Sequence, residues 1–327
     1  MTGVAVLDDW QGIARQSGDW SALQAKADVV FFPRAFAGVE EAAAALAGFE
    51  VLIAMRERTA FSSDLLRRLP RLRLIALTGG RAMTLDLPTA TERGVLVSHT
   101  GGELSGPATA EIALGLLLAV ARRIPAGDQA LRAGRFQEGV EAGTALAGKT
   151  LGLIGLGRIG GRMARFAHAL DMKVLAWSPH LTQERAEAAG AGLADKDTLL
   201  ASADAVSLHI VLSDRTRGLL GAAELSRMKP GAILINTSRG PLVDEVALLA
   251  ALQQNRIRAG LDVYDQEPLP KDHPLRSAPN TVLTPHLGYG TQEVFRQFYA
   301  ESIENVLAWF AGAPIRMLNP DAYSARA

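Results

Sequence analysis

The segment Gly155–Gly160, with the sequence Gly-Leu-Gly-Arg-Ile-Gly, constrains the fold of this chain more than any other. A short apolar run, Leu151–Ile154, comes directly before it, and a stretch with helical periodicity follows it. In this context the first glycine permits a tight turn, the second lets the backbone approach a pyrophosphate, and the third lets the helix pack closely on the strand. The N–H groups at the start of the helix would then face the anion. The segment therefore predicts a dinucleotide-binding unit, with a glycine-rich turn that binds nothing as the alternative.

Strand-length apolar runs alternate with helical patterns along the rest of the chain. Val4–Leu7, Val29–Phe32, Val51–Ala54 and Leu74–Leu77 have this length, and the same rhythm restarts at Lys149. Such alternation is typical of parallel sheets covered by helices. The restart therefore predicts an α/β protein with two such units.

The second unit continues the pattern with four further runs. Strands are predicted at Ala205–Leu212, Ala232–Thr237, Ala259–Val263 and Thr281–Leu283. Two long helices are predicted as well, at Pro107–Arg123 and Gln292–Phe310. If both helices cross between the units, the first unit is discontinuous and regains the end of the chain, but periodicity alone does not establish that crossing.

The composition excludes several classes of site. The chain has 327 residues, 34 basic and 34 acidic side chains, and no cysteine. The lack of cysteine excludes a disulfide framework, an iron–sulfur cluster and a cysteine nucleophile, and we predict no metal site. Since the formal net charge is zero, no overall field would attract nucleic acid or an anionic membrane. The longest apolar stretch, Ile112–Ala121, is ten residues, whereas a membrane helix needs ~20. We therefore expect a cytoplasmic chain without nucleic-acid or membrane partners.

Ser178 stands where an NAD-binding unit would carry an acidic side chain. It follows the predicted strand Lys173–Trp177, and a carboxylate there would accept from the ribose hydroxyls and repel a 2′-phosphate. Serine does not repel that phosphate, and His180 and Arg185 are the nearby groups that would attract it. The sequence thus permits either NAD or NADP, with a slight preference for tolerance of NADP. Solvation of a loop is the alternative role for Ser178 and His180.

Three polar residues follow predicted strands in the second half of the chain. They are Arg239 in Asn-Thr-Ser-Arg-Gly, Glu267 in Asp-Gln-Glu-Pro and His286 in Thr-Pro-His-Leu-Gly. Ligands of open α/β sheets bind outside the carboxyl ends of the strands, so the three side chains are expected to converge. Histidine suits proton transfer at neutral pH, a carboxylate beside it orients the ring, and arginine holds a carboxylate by two hydrogen bonds. Taken singly, each has a structural alternative: a strand cap, a surface turn and an interior histidine.

The chain resembles the D-isomer-specific 2-hydroxy-acid dehydrogenase family. From about Val51 to Asn319 it carries, in the family's order, the motifs GLGRIG, LHIVLS, NTSRG, LDVYDQEP and TPHLG. The resemblance implies that Arg239 anchors the substrate carboxylate, that Glu267 partners the histidine, and that His286 is the acid/base. It also implies that Asp262 meets the nicotinamide carboxamide, and that residues 209–212 and Thr216 line the adenosine side.

The resemblance also implies an architecture. Two Rossmann-like, doubly wound parallel-sheet domains would enclose a cleft, with a discontinuous flavodoxin-like substrate domain at 1–98 and 291–327 and an NAD(P)-binding Rossmann domain at 99–290. A homodimer is implied, with the region after Ala121 in the contact. Thr78–Arg81 matches the turn whose amides receive the substrate carboxylate. Arg81 departs from the residues common there, and Arg56 and Arg81 are candidates to touch substrate.

These inferences define the candidate site. The catalytic candidates are Arg239, Glu267 and His286, and the substrate-binding candidates are Arg56, Thr78, Gly79, Gly80 and Arg81. The cofactor-binding candidates are Gly155, Gly157, Arg158, Ile159, Gly160, Ser178, His180, His209, Ile210, Val211, Thr216, Thr237, Asp262 and Gly288.

The predicted function is the interconversion of a 2-oxo acid and a D-2-hydroxy acid with NAD(P)(H). The substrate would be of the glyoxylate or hydroxypyruvate type, or a longer 2-oxo acid. The alternative is a dinucleotide-dependent regulator that resembles the family's co-repressors, which the complete set of three polar residues disfavours without excluding. A formate-oxidising relative would carry glutamine in place of Glu267, so the carboxylate disfavours it.

Overall fold

The computed structural model describes residues 1–80 and 83–324. These fall into two compact units: unit 1 comprises Met1–Leu104 and Thr291–Ala327, and unit 2 comprises Ser105–Gly290. The division within the chain falls after Leu104, whereas the prediction places it after residue 98. The long helix that begins near this point belongs to unit 2, and the last long helix belongs to unit 1.

The strands and helices are numbered in chain order. The strands are β1 Thr2–Val6, β2 Ala27–Phe31, β3 Val51–Ala54, β4 Leu74–Leu77, β5 Leu96–His99, β6 Thr150–Ile154, β7 Lys173–Trp177, β8 Gly192–Leu193, β9 Ala205–Leu208, β10 Ala232–Asn236, β11 Ile257–Leu261 and β12 Thr281–Leu283. The helices are α1 Ser21–Gln24, α2 Val39–Leu46, α3 Ser63–Arg67, α4 Leu87–Glu92, α5 Ser105–Ala121, α6 Ile124–Arg132, α7 Arg158–Ala169, α8 Gln183–Ala188, α9 Lys196–Ser202, α10 Ala222–Arg227, α11 Glu245–Gln253, α12 Gln292–Phe310 and α13 Asp321–Ser324. Short 3-10 helices lie at Ala14–Gln16, Gly240–Leu242 and Pro274–Ser277.

Unit 1 is built on a five-stranded parallel sheet. Its strand order is β2-β1-β3-β4-β5, which is the flavodoxin-like order. The helix α12 packs against β4 and β5 of this sheet, and the ring of Tyr299 on α12 lies 5.7 Å from that of Trp20. The end of the chain is thus part of the same unit as its beginning.

Unit 2 is built on a seven-stranded parallel sheet. Its order is β12-β11-β10-β9-β6-β7-β8. The first strand of the unit, β6, thus lies inside the sheet, and the order reverses between β6 and β9. This is the dinucleotide-binding order, in which ligands bind at the reversal point. Two α/β units with parallel sheets therefore confirm the predicted fold class.

The core of unit 2 has two layers because side chains alternate along each strand. On β10, Ala232 and Leu234 face one side with α9, α10 and α11, while Ile233 and Ile235 face the other with α5 and α7. Both faces are apolar, as expected for a parallel sheet covered by helices on each side. Burial of both faces therefore explains why these strands are continuous apolar runs in the sequence.

Several predicted elements differ from the structure by one to four residues at their bounds, and one helix was not predicted. The strand predicted at 205–212 ends at Leu208, because its neighbours β6 and β10 also end where they pair with Leu208. The strand predicted at 259–263 is shifted to Ile257–Leu261. No helix was predicted at α6, where Ala130 is the one residue of the helix that is buried. Within the described residues, no helix has the length and apolar character needed to span a membrane.

Candidate active site

The glycine-rich turn lies between β6 and α7, and two of its glycines are required by packing. Gly155 has a φ of +99°, and a Cβ there would lie 2.4 Å from the carbonyl oxygen of His209. A Cβ on Gly160 would lie 2.1 Å from the carbonyl oxygen of Gly155. These contacts join the first turn of α7 to the ends of β6 and β9, at the point where the strand order reverses.

Gly157 differs from the other two glycines. A Cβ built on it would meet no protein atom within 4 Å, so packing within the chain does not require glycine there. It is the N-cap of α7 and offers no side chain to the first N–H groups of the helix. Open space beside unpaired helix N–H groups fits a pyrophosphate, so these residues suit a dinucleotide.

The next residues, Arg158 and Ile159, form the first turn of the helix, and the Arg158 side chain is exposed.

Two further cofactor candidates lie at the ends of β9 and β10. His209 is half-buried and its Nε2 lies 2.8 Å from Ser207 Oγ. Burial lowers the pKa of His209 to about 4, so the ring is neutral near pH 7. Thr237 is buried and its hydroxyl has no hydrogen-bond partner within the described part of the chain. An unsatisfied buried hydroxyl at the carboxyl edge of this sheet is a second feature that fits a bound ligand.

The loop after β9 is closed by Thr216. Its hydroxyl donates to the Val211 carbonyl oxygen at 2.8 Å and accepts from the Ser213 N–H at 2.8 Å. Ile210 is half-buried and its carbonyl oxygen accepts from Ser238 Oγ at 2.7 Å, while the Val211 side chain is 78% exposed. Thr216 thus shapes the loop, and Val211 is the member of this set that presents an apolar surface.

The end of β7 carries no carboxylate. Ser178 is half-buried and directly follows the strand, and His180 is exposed two residues later. Arg185 lies beside it, with Nη1 donating to the His180 carbonyl oxygen at 3.4 Å. The structure therefore brings one cation, Arg185, close to the loop that follows β7.

Arg239 is held by a compact turn after β10. Asn236 Nδ2 donates to the Arg239 carbonyl oxygen at 2.9 Å, and Asn236 Oδ1 accepts from the Ser238 N–H at 3.1 Å. The guanidinium donates through Nη1 to the Ser238 carbonyl oxygen at 2.6 Å. The buried Asn236 is thus the residue that sets the direction in which this turn leaves the sheet.

Glu267 and His286 form a hydrogen-bonded pair. His286 Nδ1 lies 2.5 Å from Glu267 Oε2, and 24% and 29% of the two side chains remain exposed. The other carboxylate oxygen, Oε1, accepts from the Tyr264 N–H at 2.9 Å. Because an ionised carboxylate only accepts, Nδ1 carries the proton of this bond. The ring nitrogen that faces away from Glu267, Nε2, is therefore the one that can exchange a proton with a substrate.

Asp262 organises the turn that carries His286. It is fully buried, and its Oδ1 accepts from Thr284 Oγ1 at 2.6 Å and the Leu287 N–H at 2.7 Å. Its Oδ2 accepts from the Gly288 N–H at 2.8 Å. Burial raises the pKa of Asp262, although these hydrogen bonds act in the opposite direction. His286 itself has a φ of +54°, so donors on both sides of a strained residue are fixed to one carboxyl group.

The segments that carry Arg239 and Glu267 touch directly. A Cβ on Gly240 would lie 2.1 Å from the carbonyl carbon of Tyr264, so only glycine permits this approach. Since β10, β11 and β12 are neighbours in the sheet, the three catalytic candidates follow adjacent strands. The structure brings the backbones of the predicted segments together at one edge of unit 2.

The substrate-binding candidates lie at the carboxyl ends of β3 and β4 in unit 1. Arg56 has a φ of +44°, its N–H donates to Thr78 Oγ1 at 3.1 Å, and its guanidinium lies against Gly79. Two amides of the turn that is predicted to receive a carboxylate already donate within unit 1. The Thr78 N–H donates to the Ala54 carbonyl oxygen, and the Gly79 N–H donates to Thr100 Oγ1.

The rest of that turn is described only in part. Gly80 is exposed, and a Cβ there would meet nothing within 4 Å. Arg81 lies outside the described residues. Among the described residues of this turn, Gly80 is thus the one whose N–H is still predicted to receive the substrate carboxylate.

Sequence reasoning missed Tyr264. It occurs inside the motif LDVYDQEP, where it follows a strand as one more apolar residue, and its side chain is buried. Its hydroxyl donates to the Thr284 carbonyl oxygen at 2.9 Å and to the Leu261 carbonyl oxygen at 3.3 Å. The signal that could have identified Tyr264 is its hydroxyl at the end of a strand, because the hydroxyl of a buried tyrosine needs a hydrogen-bond partner.

Comparison with known proteins agrees with this geometry. The model of the D-isomer specific 2-hydroxyacid dehydrogenase NAD binding domain matches residues 114–288. Glyoxylate reductase of Thermococcus litoralis is 41% identical over 268 residues, which cover 79% of this chain and 80% of that protein. Two comparisons that are independent of the site geometry thus point to one family of dinucleotide-binding enzymes.

Two further similarities extend the comparison. D-3-Phosphoglycerate dehydrogenase of Archaeoglobus fulgidus is 37% identical over 265 residues, covering 81% of this chain and 50% of that protein. The chain thus spans about half the length of this relative. The crystal structure of phosphoglycerate oxidoreductase from Vibrio cholerae matches with a TM-score of 0.89 at 37% identity, covering 96% of this chain and 100% of that one. These relatives are named as enzymes, which gives no support to the regulator alternative.

Proposed function

Because the chain belongs to the D-isomer-specific 2-hydroxyacid dehydrogenase family, we propose that it interconverts a 2-oxo acid and a D-2-hydroxy acid with NAD(P)(H). The observation that carries this proposal is the hydrogen bond between His286 and Glu267, beside the segment that holds Arg239. The bound nicotinamide would supply or accept the hydride at substrate C2. The chain's own residues would bind the substrate, orient it and move the proton.

In the direction of reduction, His286 is the proton donor. As C2 of the 2-oxo acid accepts a hydride, the carbonyl electron pair moves to the oxygen, which takes a proton from His286 Nε2. Glu267 stabilises the protonated ring through Nδ1 and fixes its orientation. In oxidation the same nitrogen accepts the proton from the hydroxyl group, so one residue serves both directions.

Arg239 is the proposed anchor for the substrate carboxylate. Its planar guanidinium can donate two parallel hydrogen bonds, which fix both the position and the rotation of the bound acid. The turn that holds it is tied to buried Asn236. Anchoring the carboxylate in this way would set which face of the neighbouring C2 receives the hydride.

The cofactor site of unit 2 is that of an NAD(P)-binding domain, and we propose the roles of its residues. The N–H groups after Gly157 hold the pyrophosphate, the hydroxyl of Thr237 meets the bound dinucleotide, and Ser178 lies by the adenosine ribose. Since no carboxylate follows β7 and Arg185 lies close by, NADPH is tolerated as well as NADH.

The substrate is proposed to be a small 2-oxo acid. The relatives' names, glyoxylate reductase and D-3-phosphoglycerate dehydrogenase, support a short carbon chain with a carboxylate beside the reacting carbon. Hydroxypyruvate and longer 2-oxo acids belong to the same class. A pocket discriminates one methylene group by only about 1–3 kcal/mol, so a panel of acids is the appropriate measurement.

We also propose a homodimer that uses the region after Ala121. Three large apolar side chains in this region are exposed on unit 2: Ile124 by 54%, Leu131 by 64% and Phe136 by 73%. Helix α6 buries only Ala130. A run of exposed apolar residues on a short helix is typical of an interaction surface.

The test of the proposed activity combines a substrate panel with one substitution. Glyoxylate, hydroxypyruvate and longer 2-oxo acids are assayed with NADH and with NADPH, for wild type and His286→Gln. We expect turnover of at least one acid, and a loss of about 10²- to 10⁴-fold in kcat for the variant. Cofactor affinity, measured by fluorescence titration, should stay the same, since the glycine-rich turn proposed to hold the pyrophosphate is not altered. Turnover by the variant at the wild-type rate would refute the role of His286.

A further inference from the structure

Tyr264 connects the two members of the His286–Glu267 pair. Its backbone N–H donates to Glu267 Oε1 at 2.9 Å. Its hydroxyl donates to the Thr284 carbonyl oxygen at 2.9 Å, and the same oxygen accepts from the N–H of His286 at 3.1 Å. One residue thus touches the carboxylate at one end and, through a single carbonyl oxygen, the backbone of the histidine at the other.

The hydroxyl sits at a junction of two strand ends. It also approaches the Leu261 carbonyl oxygen at 3.3 Å, and that oxygen accepts from the Thr284 N–H at 2.9 Å. Leu261 is the last residue of β11, and Thr284 directly follows β12. The tyrosine therefore ties the exit of one strand to the exit of the next, just before the chain enters the turn of His286.

The turn needs this support because it is strained. His286 has a φ of +54°, a conformation that costs free energy for a residue other than glycine and persists only where the surroundings fix it. Asp262 fixes Leu287 and Gly288 on the far side of His286. On the side before His286, two side chains hold Thr284. Asp262 accepts a hydrogen bond from the Thr284 hydroxyl, and Tyr264 donates one to the Thr284 carbonyl oxygen.

We propose that the Tyr264 hydroxyl is a positioning group, which holds the turn Thr284–Gly288 so that the His286 ring stays in line with the Glu267 carboxylate. The inference rests on the proposed function in that it takes the His286–Glu267 pair as the acid/base. Tyr264 does not touch the reacting atoms and acts through the backbone. Burial raises the pKa of Tyr264, so the hydroxyl keeps its proton and remains a donor over the working pH range.

The test is Tyr264→Phe, which removes the hydroxyl and leaves the N–H bond to Glu267. We expect kcat to fall about tenfold, the order expected for a small displacement of a catalytic group. The KM values for the 2-oxo acid and the cofactor should change by less than about twofold, since this hydroxyl is on a buried side chain and is bonded to a backbone carbonyl oxygen. The low-field proton resonance of the His286 ring N–H should move upfield, because the short bond to Glu267 becomes less populated.

Tyr323→Phe is the matched control. Its hydroxyl also donates to a backbone carbonyl oxygen, that of Gly312 at 2.7 Å, but in unit 1. This variant should keep the wild-type kcat and the wild-type resonance. If Tyr264→Phe does not fold, Tyr264→Met removes the hydroxyl with a side chain that adapts to irregular space.

The two proposals fail in different ways. A wild-type protein that turns over no 2-oxo acid with either cofactor contradicts the proposed function, while the ring N–H resonance still reports on Tyr264. A folded Tyr264→Phe with wild-type kcat and an unshifted resonance overturns the positioning role, even if its melting temperature falls. A lower melting temperature alone would mean that the hydroxyl only stabilises the fold.

Discussion

At the scale of single residues, His209 shows how burial changes a titratable group. The ring is half-buried beside Ser207, at the end of β9, and burial lowers its pKa to about 4 from 6.5. The unfolded chain therefore binds a proton at this histidine between pH 6.5 and 4, while the folded chain does not. Stability rises with pH wherever the unfolded state binds more protons. The contribution of His209 is thus complete above pH 6.5 and is lost as the pH falls towards 4.

His209→Gln should reduce this acid sensitivity. Glutamine keeps a polar group near Ser207 but does not titrate. The free energy of unfolding of the variant should therefore fall less than that of wild type between pH 6.5 and 4.5. We expect a difference of about 1–3 kcal/mol, since one unit of pKa corresponds to about 1.4 kcal/mol and the ring is partly solvated. Urea unfolding at several pH values measures it. His180→Gln, at an exposed position, is the control, and an equal pH dependence of wild type and His209→Gln would contradict the argument.

At the scale of elements, the start of α7 separates glycines that serve the fold from one that does not. Gly155 and Gly160 face protein atoms at distances no Cβ could tolerate, whereas Gly157 faces open space. The sequence motif already predicts a different role for each of the three glycines. The structure distinguishes them, because the first and third contact backbone and only the second is left for a ligand.

Gly157→Ala should therefore impair cofactor binding without unfolding the protein. Its backbone, with a φ of −90°, accepts alanine, so the melting temperature should stay within about 2 °C. The methyl group would occupy the space of the pyrophosphate, and the Kd for NADH or NADPH should rise at least about tenfold, equivalent to 1.4 kcal/mol. Fluorescence titration measures this Kd.

Gly161→Ala is the control for Gly157→Ala. Gly161 lies inside α7, and a Cβ added there would also meet nothing within 4 Å, so the extra methyl group is harmless and cofactor affinity should not change. Unaltered affinity in Gly157→Ala would show that the open space is not the pyrophosphate site.

At the scale of the whole molecule, the exposed apolar residues of α6 and the segment after it are the feature that a single chain leaves unexplained. Ile124, Leu131 and Phe136 are each more than half exposed. An isolated exposed apolar residue is common, but here three stand within thirteen positions of the chain, and we call these three residues the patch. Burial of this patch between two copies is the proposed role.

Leu131→Asp combined with Phe136→Asp should convert the protein to a monomer. Wild type is expected to sediment at twice the chain mass of 34.7 kDa, and the variant at that mass itself, because each aspartate would bury an unpaired charge at the contact. Analytical ultracentrifugation distinguishes the two masses. Val246→Asp is the control, since Val246 is 80% exposed on α11, outside the patch. A wild type that sediments as a monomer would exclude the proposed contact.

Much of the fold could be predicted because it depends on local patterns. The bounds of β3, β4, β12 and α12 agree with the apolar periods of the sequence, since side chains alternate along strands and recur every 3.6 residues along helices. The end of β9 was wrong by four residues, because a strand stops where its neighbours stop, and the sequence does not state which strands are neighbours. The helix α6 was missed because it has no buried stripe.

The sequence by itself determined that the chain has two α/β units, a dinucleotide turn and three polar residues that follow strands. These are consequences of backbone sterics and of periodicity, which act between residues close in the chain. Only the tertiary structure decided that Asp262 and Tyr264 hold the turn of His286, and that the amides of Thr78 and Gly79 are already bonded. The bonds to Thr284, Gly288 and Thr100 join residues twenty or more positions apart. Which donors meet which acceptors at that separation depends on how the strands are ordered in the sheet.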